Sequence, residues 1–218
     1  MPHGPAYQFL PHATLDVSWK KPDGTVVGFW AREWLDILGE AVLKETDRYE
    51  WEVWQPDYRA DKIYSKTLDT GVTHRLFPAQ DRPFRMGLWL QDGLFSEAMI
   101  SHLWELRGDR IVLMIYGTYG FRVPFYHEIL RIFGPARRFP IFLRSGGMFK
   151  APISEMYGLH RPLTYLSLIV EHIQFKNVLR YADVISEQSE SGLREVRRIY
   201  GGRIEKLTMG CDFDFWVP

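Results

Sequence analysis

The stretch Arg180–Leu207 reads RYADVISEQSESGLREVRRIYGGRIEKL, and the class of fold turns on how it is parsed. "ADVISE" (182–187) is a short strand. "SESGLREVRRIYG" opens on serines that can cap a helix and closes on glycine, the usual punctuation of a helix's two ends. "RIEKLTMG" then reads as the last strand. Two strands joined by a helix need a crossover, which makes them parallel neighbours in one sheet.

Working toward the N-terminus, the alternation continues. The segment 163–180 is a long helix, and "FPIFLRSGG" (139–147) is a buried strand ending in glycines. The spacing predicts a helix over 124–133 and an amphipathic helix over 94–106. Between them lies "RIVLMIY" (110–116), a continuous apolar run expected to be buried on both faces. Earlier still, "YEWEVWQP" (49–56), stopped by Pro56, and "GVTHRLFP" (71–78) read as strands. "FWAREWLDILGEAVLK" (29–44) has helical spacing, and "ATLDVSW" (13–19) is a first strand followed by a turn over Lys20–Gly28. The fold class expected is α/β, a Rossmann-like parallel sheet with helices on both faces. Ligands in such sheets bind at the strands' carboxyl ends, so the loops of interest are 20–28, 116–122 and 144–150.

The 218 residues suffice for a sizeable core. Lys plus Arg total 27 and so do Asp plus Glu, so no global field draws the chain to nucleic acid. One cysteine, Cys211, permits no internal disulfide and suits a reducing, cytoplasmic compartment. The opening residues lack the basic start and apolar run of a signal peptide, and no apolar run approaches the ~20 residues of a spanning helix. Aromatic residues reach 15%, with eight tryptophans, a surplus expected partly at a cleft or interface. The seven histidines do not fall at metal-ligand spacing, so no metal is expected. Neither a Gly-x-Gly-x-x-Gly after the first strand nor a Walker-type Gly-Lys-Ser/Thr is present.

The closing forty residues resemble the domain junction of GT-B retaining glycosyltransferases of family 4. That pattern has Ala-Asp before a short strand and Ser, a helix ending in Tyr-Gly, and an apolar strand. Asn-Gly-Val-Asp comes next, then three residues, Phe, one residue and Pro. Here Ala182-Asp183, Tyr200-Gly201, Gly210, Asp212, Trp216 and Pro218 fall at the family spacing. Met209 replaces the usual Asn and Trp216 the usual Phe. The resemblance implies an N-terminal acceptor-binding domain over 1–208. Residues 209–218 would begin the linker to a C-terminal donor-binding domain that lies outside this sequence.

The resemblance also implies a function. The full enzyme would move a sugar from a nucleotide-sugar donor to an acceptor, sugar-containing or lipid-linked, with retention and without a metal or other cofactor. The isolated chain would bind acceptor and transfer little sugar. Gly24 and Gly28 would approach the donor phosphates, since glycine permits φ > 0 and close approach. Tyr119, Arg122, Arg144, Ser145 and Lys150 would face the acceptor. The family's His-Gly after the strand at 139–143 is replaced here by Ser145-Gly146, which removes the usual histidine contact with the donor sugar. An ordinary turn is the plain alternative for Gly24, Gly28, Arg144, Ser145 and Lys150, and a non-enzymatic α/β interaction module is the alternative for the whole chain. A last expectation concerns "FYHEILRIFGPARRFPIFLR" (125–144). Its arginines (131, 137, 138 and 144), with Phe133 or Phe139 inserting, suit peripheral contact with the inner face of a membrane. In the plain alternative its apolar residues face the sheet.

Overall fold

A computed structural model of the chain describes residues 17–29, 34–86, 89–106, 111–116, 124–136, 139–144 and 162–207. They fall into two compact units, Met1–Ala79 and Gln80–Pro218. In the first unit, β1 (Val17–Lys20) pairs antiparallel with β2 (Val26–Phe29). Helix α1 (Trp34–Glu45) precedes β3 (Glu52–Asp57), β4 (Tyr64–Thr67) and β5 (Thr73–Pro78). The order of that sheet is β3-β5-β4, with β3 parallel and β4 antiparallel to β5.

The turn over 20–28 is therefore a hairpin, not a strand-to-helix loop of a parallel sheet. Pro22-Asp23-Gly24 supplies it. The Gly24 amide donates to the Lys21 carbonyl at 3.0 Å, and the Thr25 amide donates to Asp23 Oδ1 at 2.9 Å. Gly24 sits at φ +85, the left-handed conformation that closes a type I turn into a hairpin. Pro56 does not end β3, which runs on to Asp57. It is an edge strand with no ladder partner on one side among the described residues, and proline is tolerated there.

The first unit packs Val27, Ala60, Tyr64 and Leu76 together, with Trp19 and Leu68 against them. Trp51 lies so close over Gly39 of α1 that a Cβ there would strike the indole. His74 of β5 is 1% exposed and stands 2.8 Å from Oδ1 of Asp36 on α1, also buried. The separation is that of an ion pair, although the ring N–H is not aligned on the carboxylate as a hydrogen bond. This histidine has a structural partner and ties the helix to the sheet.

The second unit opens with the ribbon β6 (Gln80–Met86) and β7 (Trp89–Phe95), which the periodicity of the sequence did not reveal. Helix α2 (Glu97–Glu105) begins where Ser96 accepts a hydrogen bond from the Met99 amide at 3.1 Å. That cap, and the use of Leu94 and Phe95 in β7, shortens the helix expected from residue 94. There follow β8 (Leu113–Tyr116), α3 (Pro124–Phe133), β9 (Ile141–Arg144), α4 (Pro162–Leu179), β10 (Val184–Glu187), α5 (Glu190–Ile199) and β11 (Arg203–Lys206). The last four strands form an all-parallel sheet of order β11-β10-β9-β8. Helices flank it: α5 packs on β10 and β11, and α3 packs on α4 and β7.

The strand order is sequential, so the reversal that defines a doubly wound sheet does not occur within β8–β11. The run at 110–116 is also less buried than expected. Val112 is 58% exposed and Leu113 and Met114 of β8 are half-buried beside the buried Ile115, because β8 is an edge strand of the described sheet. The central β9 and β10 carry the core through Ile141, Leu143 and Ile185, with Leu193 and Val196 of α5 also buried.

Candidate functional site

The carboxyl ends of the parallel strands bring polar residues together by register. Tyr116 pairs with Arg144, Arg144 with Ser186, and Ser186 with Glu205, so Arg144, Ser186 and Glu205 share one face of three neighbouring strands. In the middle of that row, Arg144 is 1% exposed and Ser186 is 0% exposed. A buried guanidinium is costly unless compensated by charge and hydrogen bonds. A buried hydroxyl left unpaired costs roughly 1–3 kcal/mol, and Ser186 Oγ has no hydrogen-bond partner among the described residues.

Glu187, next along β10, is also fully buried. Its Oε1 accepts from the Gln188 amide at 2.7 Å, and its side chain is so close to Gly192 that a Cβ there would meet the carboxylate. Ser189 caps the same helix by accepting from the Gly192 amide at 2.9 Å. The Glu187 carboxylate thus lies against the first turn of α5, at the kind of helix end that can cradle a phosphate.

Of the residues expected to face an acceptor, Arg144 stands at the carboxyl edge. Tyr119, Arg122, Ser145 and Lys150 lie outside the described residues, as do Gly210, Asp212, Trp216 and Pro218. Gly24 and Gly28 belong to the β1–β2 hairpin, with Gly28 paired to Ser18. The glycine-containing loop expected after the first strand is here the turn of an antiparallel hairpin. Antiparallel pairing engages the backbone of this segment, and neither β1 nor β2 belongs to the parallel sheet. Ser186 was missed by sequence reasoning. A signal for it existed in a polar residue inside a buried four-residue strand.

Of the residues that carry the family resemblance, Ala182, Asp183 and Tyr200 do structural work at the opposite, amino edge. Tyr200 donates its hydroxyl to the Ala182 carbonyl at 2.8 Å. Asp183 Oδ2 accepts from the Ile141 amide at 2.8 Å, while the Asp183 amide donates to the Ile141 carbonyl at 2.8 Å. The Tyr200 ring covers Gly202, where a Cβ has no room. This clamp joins β9, β10, α5 and β11. Beside it is an open cleft of about 490 Å³ bordered by Lys176, Arg180, Asp183 and Gly201. The cleft lies away from the carboxyl edge, and its charged rim is solvent-exposed, so we give it no chemical role.

The segment at 125–144 is corrected in its apolar half. Phe133 and Phe139 are 0% and 5% exposed, their ring centroids 5.7 Å apart, with the Trp104 ring tilted against Phe133 at 4.9 Å. They fill the core and do not present themselves to a bilayer. Of the four arginines, Arg131 pairs with Glu128 at 2.8 Å, which holds that carboxyl below the usual glutamate range, and Arg144 is buried. Arg137 and Arg138 lie outside the described residues.

Among the described residues no group of three His, Cys, Asp or Glu side chains is placed to hold a metal ion, and no helix is long and apolar enough to cross a membrane. No protein-family model and no curated protein matches the chain. The class that fold and site define is a mixed α/β protein with a four-strand parallel sheet flanked by helices, compatible with a Rossmann-like fold.

Proposed function

We propose that the chain is the acceptor-binding, N-terminal part of a GT-B retaining glycosyltransferase that uses a nucleotide-sugar donor. The observation that carries the reading is the unit from β9 to β11. There the Ala182-Asp183 and Tyr200-Gly201 pairs that resemble the family occupy one strand–helix–strand crossover and clamp it together. At the carboxyl end of that sheet Arg144 and Ser186 are polar groups buried in register on the two central strands. Growing negative charge on a departing diphosphate would have to be met by cations and helix N-termini. The buried Glu187 carboxylate lies against Gly192 in the first turn of α5, which supports assigning donor binding to a second domain.

The test is to express the reading frame extended past Pro218 and assay sugar release and transfer from nucleotide-sugar donors, with and without divalent ions. Transfer by the extended protein, and none by residues 1–218 alone, is the expected result. Turnover by the isolated chain refutes the two-domain account. A stop codon directly after Pro218, with saturable binding to another protein and no donor turnover, favours the interaction-module reading.

A further inference from the structure

We infer that the outer edge of β11 joins two copies of this chain, strand to strand, about a two-fold axis at Ile204. The inference stands apart from the glycosyltransferase reading. Among the described residues β11 is the last strand of its sheet and pairs only with β10. The Leu207 amide donates to the Glu187 carbonyl at 3.0 Å. Successive residues of a strand turn their backbone groups opposite ways, so Glu205 also faces β10, while Ile204 and Lys206 face outward. Such an outward row of donors and acceptors is a template for another strand.

The order of charges selects a second copy as that strand. About an axis at Ile204 the two edges run antiparallel, and the outward groups of Ile204 bond to their equivalents in the other copy. Those of Lys206 reach Gly202 of the other copy. Between these hydrogen-bonded pairs lies the close pair, Arg203 opposite Glu205, with Cα atoms about 4.5 Å apart. Symmetry makes it twice. Opposite charges directly across an antiparallel pair stabilise it, and like charges do the reverse. Moving the axis to either adjacent register sets Arg203 against Arg203 or Glu205 against Glu205, so only one register is favoured. Within the chain Arg203 and Glu205 bond to each other at 2.7 Å, yet their side chains stay 71% and 49% exposed. A lone exposed pair contributes little, whereas four alternating charges form a network. Lys206, the remaining charge of the edge, pairs with Glu190 of α5 at 2.7 Å and meets only a glycine across the axis. Charges and shortness guard an edge against foreign strands; this arrangement does so and still admits its own copy. Helix α5, which packs on β10 and β11, exposes Glu190, Arg194, Arg197 and Arg198. The contact beyond the strands is therefore polar, and the dimer is weak and reversible.

The experiment is sedimentation of residues 1–218 over a range of concentrations, with circular dichroism melts to confirm that each variant is folded. Wild type should show a reversible monomer–dimer equilibrium that stops at the dimer, because a two-fold contact closes on itself. Arg203→Glu and Glu205→Arg should each weaken dimerisation about tenfold or more, since each turns two attractive pairs into repulsive ones. Combining both substitutions in one chain should restore it. Mixing the two single variants should also restore it, as a heterodimer with every charge again opposed by its opposite. A fold damaged by either substitution could not be rescued by mixing. The proposal is overturned if wild type stays monomeric up to the limit of its solubility, or assembles beyond a dimer. Single reversals that dimerise as well as wild type overturn it too, as does failure of the folded variants to associate on mixing. None of these readouts involves sugar transfer, so the dimer and the enzyme assignment can fail separately.

Discussion

Replacing Tyr200 by Phe removes one oxygen from the clamp at the amino edge and nothing else. The phenol is buried and donates to the Ala182 carbonyl at 2.8 Å, and Ala182 is 6% exposed. A typical hydrogen bond contributes about 1 kcal/mol net, and leaving its buried acceptor unpaired adds to the loss, toward about 1–3 kcal/mol. The ring stays over Gly202 and the packing is kept, so no cavity cost enters. The expected loss is about 1.5 kcal/mol, which for a chain of this size lowers Tm by about 3–6 °C. Urea unfolding followed by far-UV circular dichroism should show a lower midpoint with an unchanged m-value. Tyr200→Leu, which also removes the ring's packing, should cost clearly more. If Tyr200→Phe loses less than about 0.3 kcal/mol, water replaces the phenol without cost and the clamp argument fails.

Two more perturbations probe particular contacts. Gly134→Ala should destabilise by about 2–3 kcal/mol, because the new Cβ meets the Leu130 carbonyl and the Tyr181 side chain; a midpoint within experimental error of wild type refutes the packing. In the first unit, the hydrogen bond to Asp61 at 2.5 Å pushes the Tyr64 phenol up to about 12. A raised folded-state pKa means the contribution to stability is complete below the ordinary tyrosine value and is lost as pH rises toward the folded value. Ultraviolet titration should therefore find one tyrosine ionising well after the others, and Asp61→Ala should bring it back among them; an unchanged titration in the variant contradicts the assignment.

From residue 94 onward the elements were largely legible. The helix expected at 124–133 coincides with α3, since Pro124 fits the first helical turn and apolar residues follow at helical spacing. Ser189 and the glycines after Tyr200 fixed α5 in the same local way. Before residue 94 the signals were ambiguous. Pro22-Asp23-Gly24 marks a turn in any fold, and only the partner strand determines whether a hairpin or a helix comes next. The β6–β7 ribbon was hidden by Pro83 and charged residues, although its register leaves just Gly87-Leu88 between Met86 and Trp89, a two-residue interval that suits a hairpin. The site was legible only at Arg144. Ser186 looked like any strand residue, because its lack of a partner is a property of its surroundings.

Features that depend on neighbours within a few residues were written in the chain itself: the caps, the breakers and the periodicities that set α2 to α5 and the strands between them. Features that join residues far apart came only with assembly. His74 meets Asp36, Asp183 locks onto Ile141, and Arg144 lies in register with Ser186. Phe133 and Phe139, which read as well for a membrane as for a core, are settled by Trp104 closing over Phe133. Burial and pairing are properties of the assembled chain. Local sequence limits the backbone's options through short-range sterics and hydrogen bonding, whereas the loss of water around a charged or apolar side chain is set by whatever distant segment packs against it.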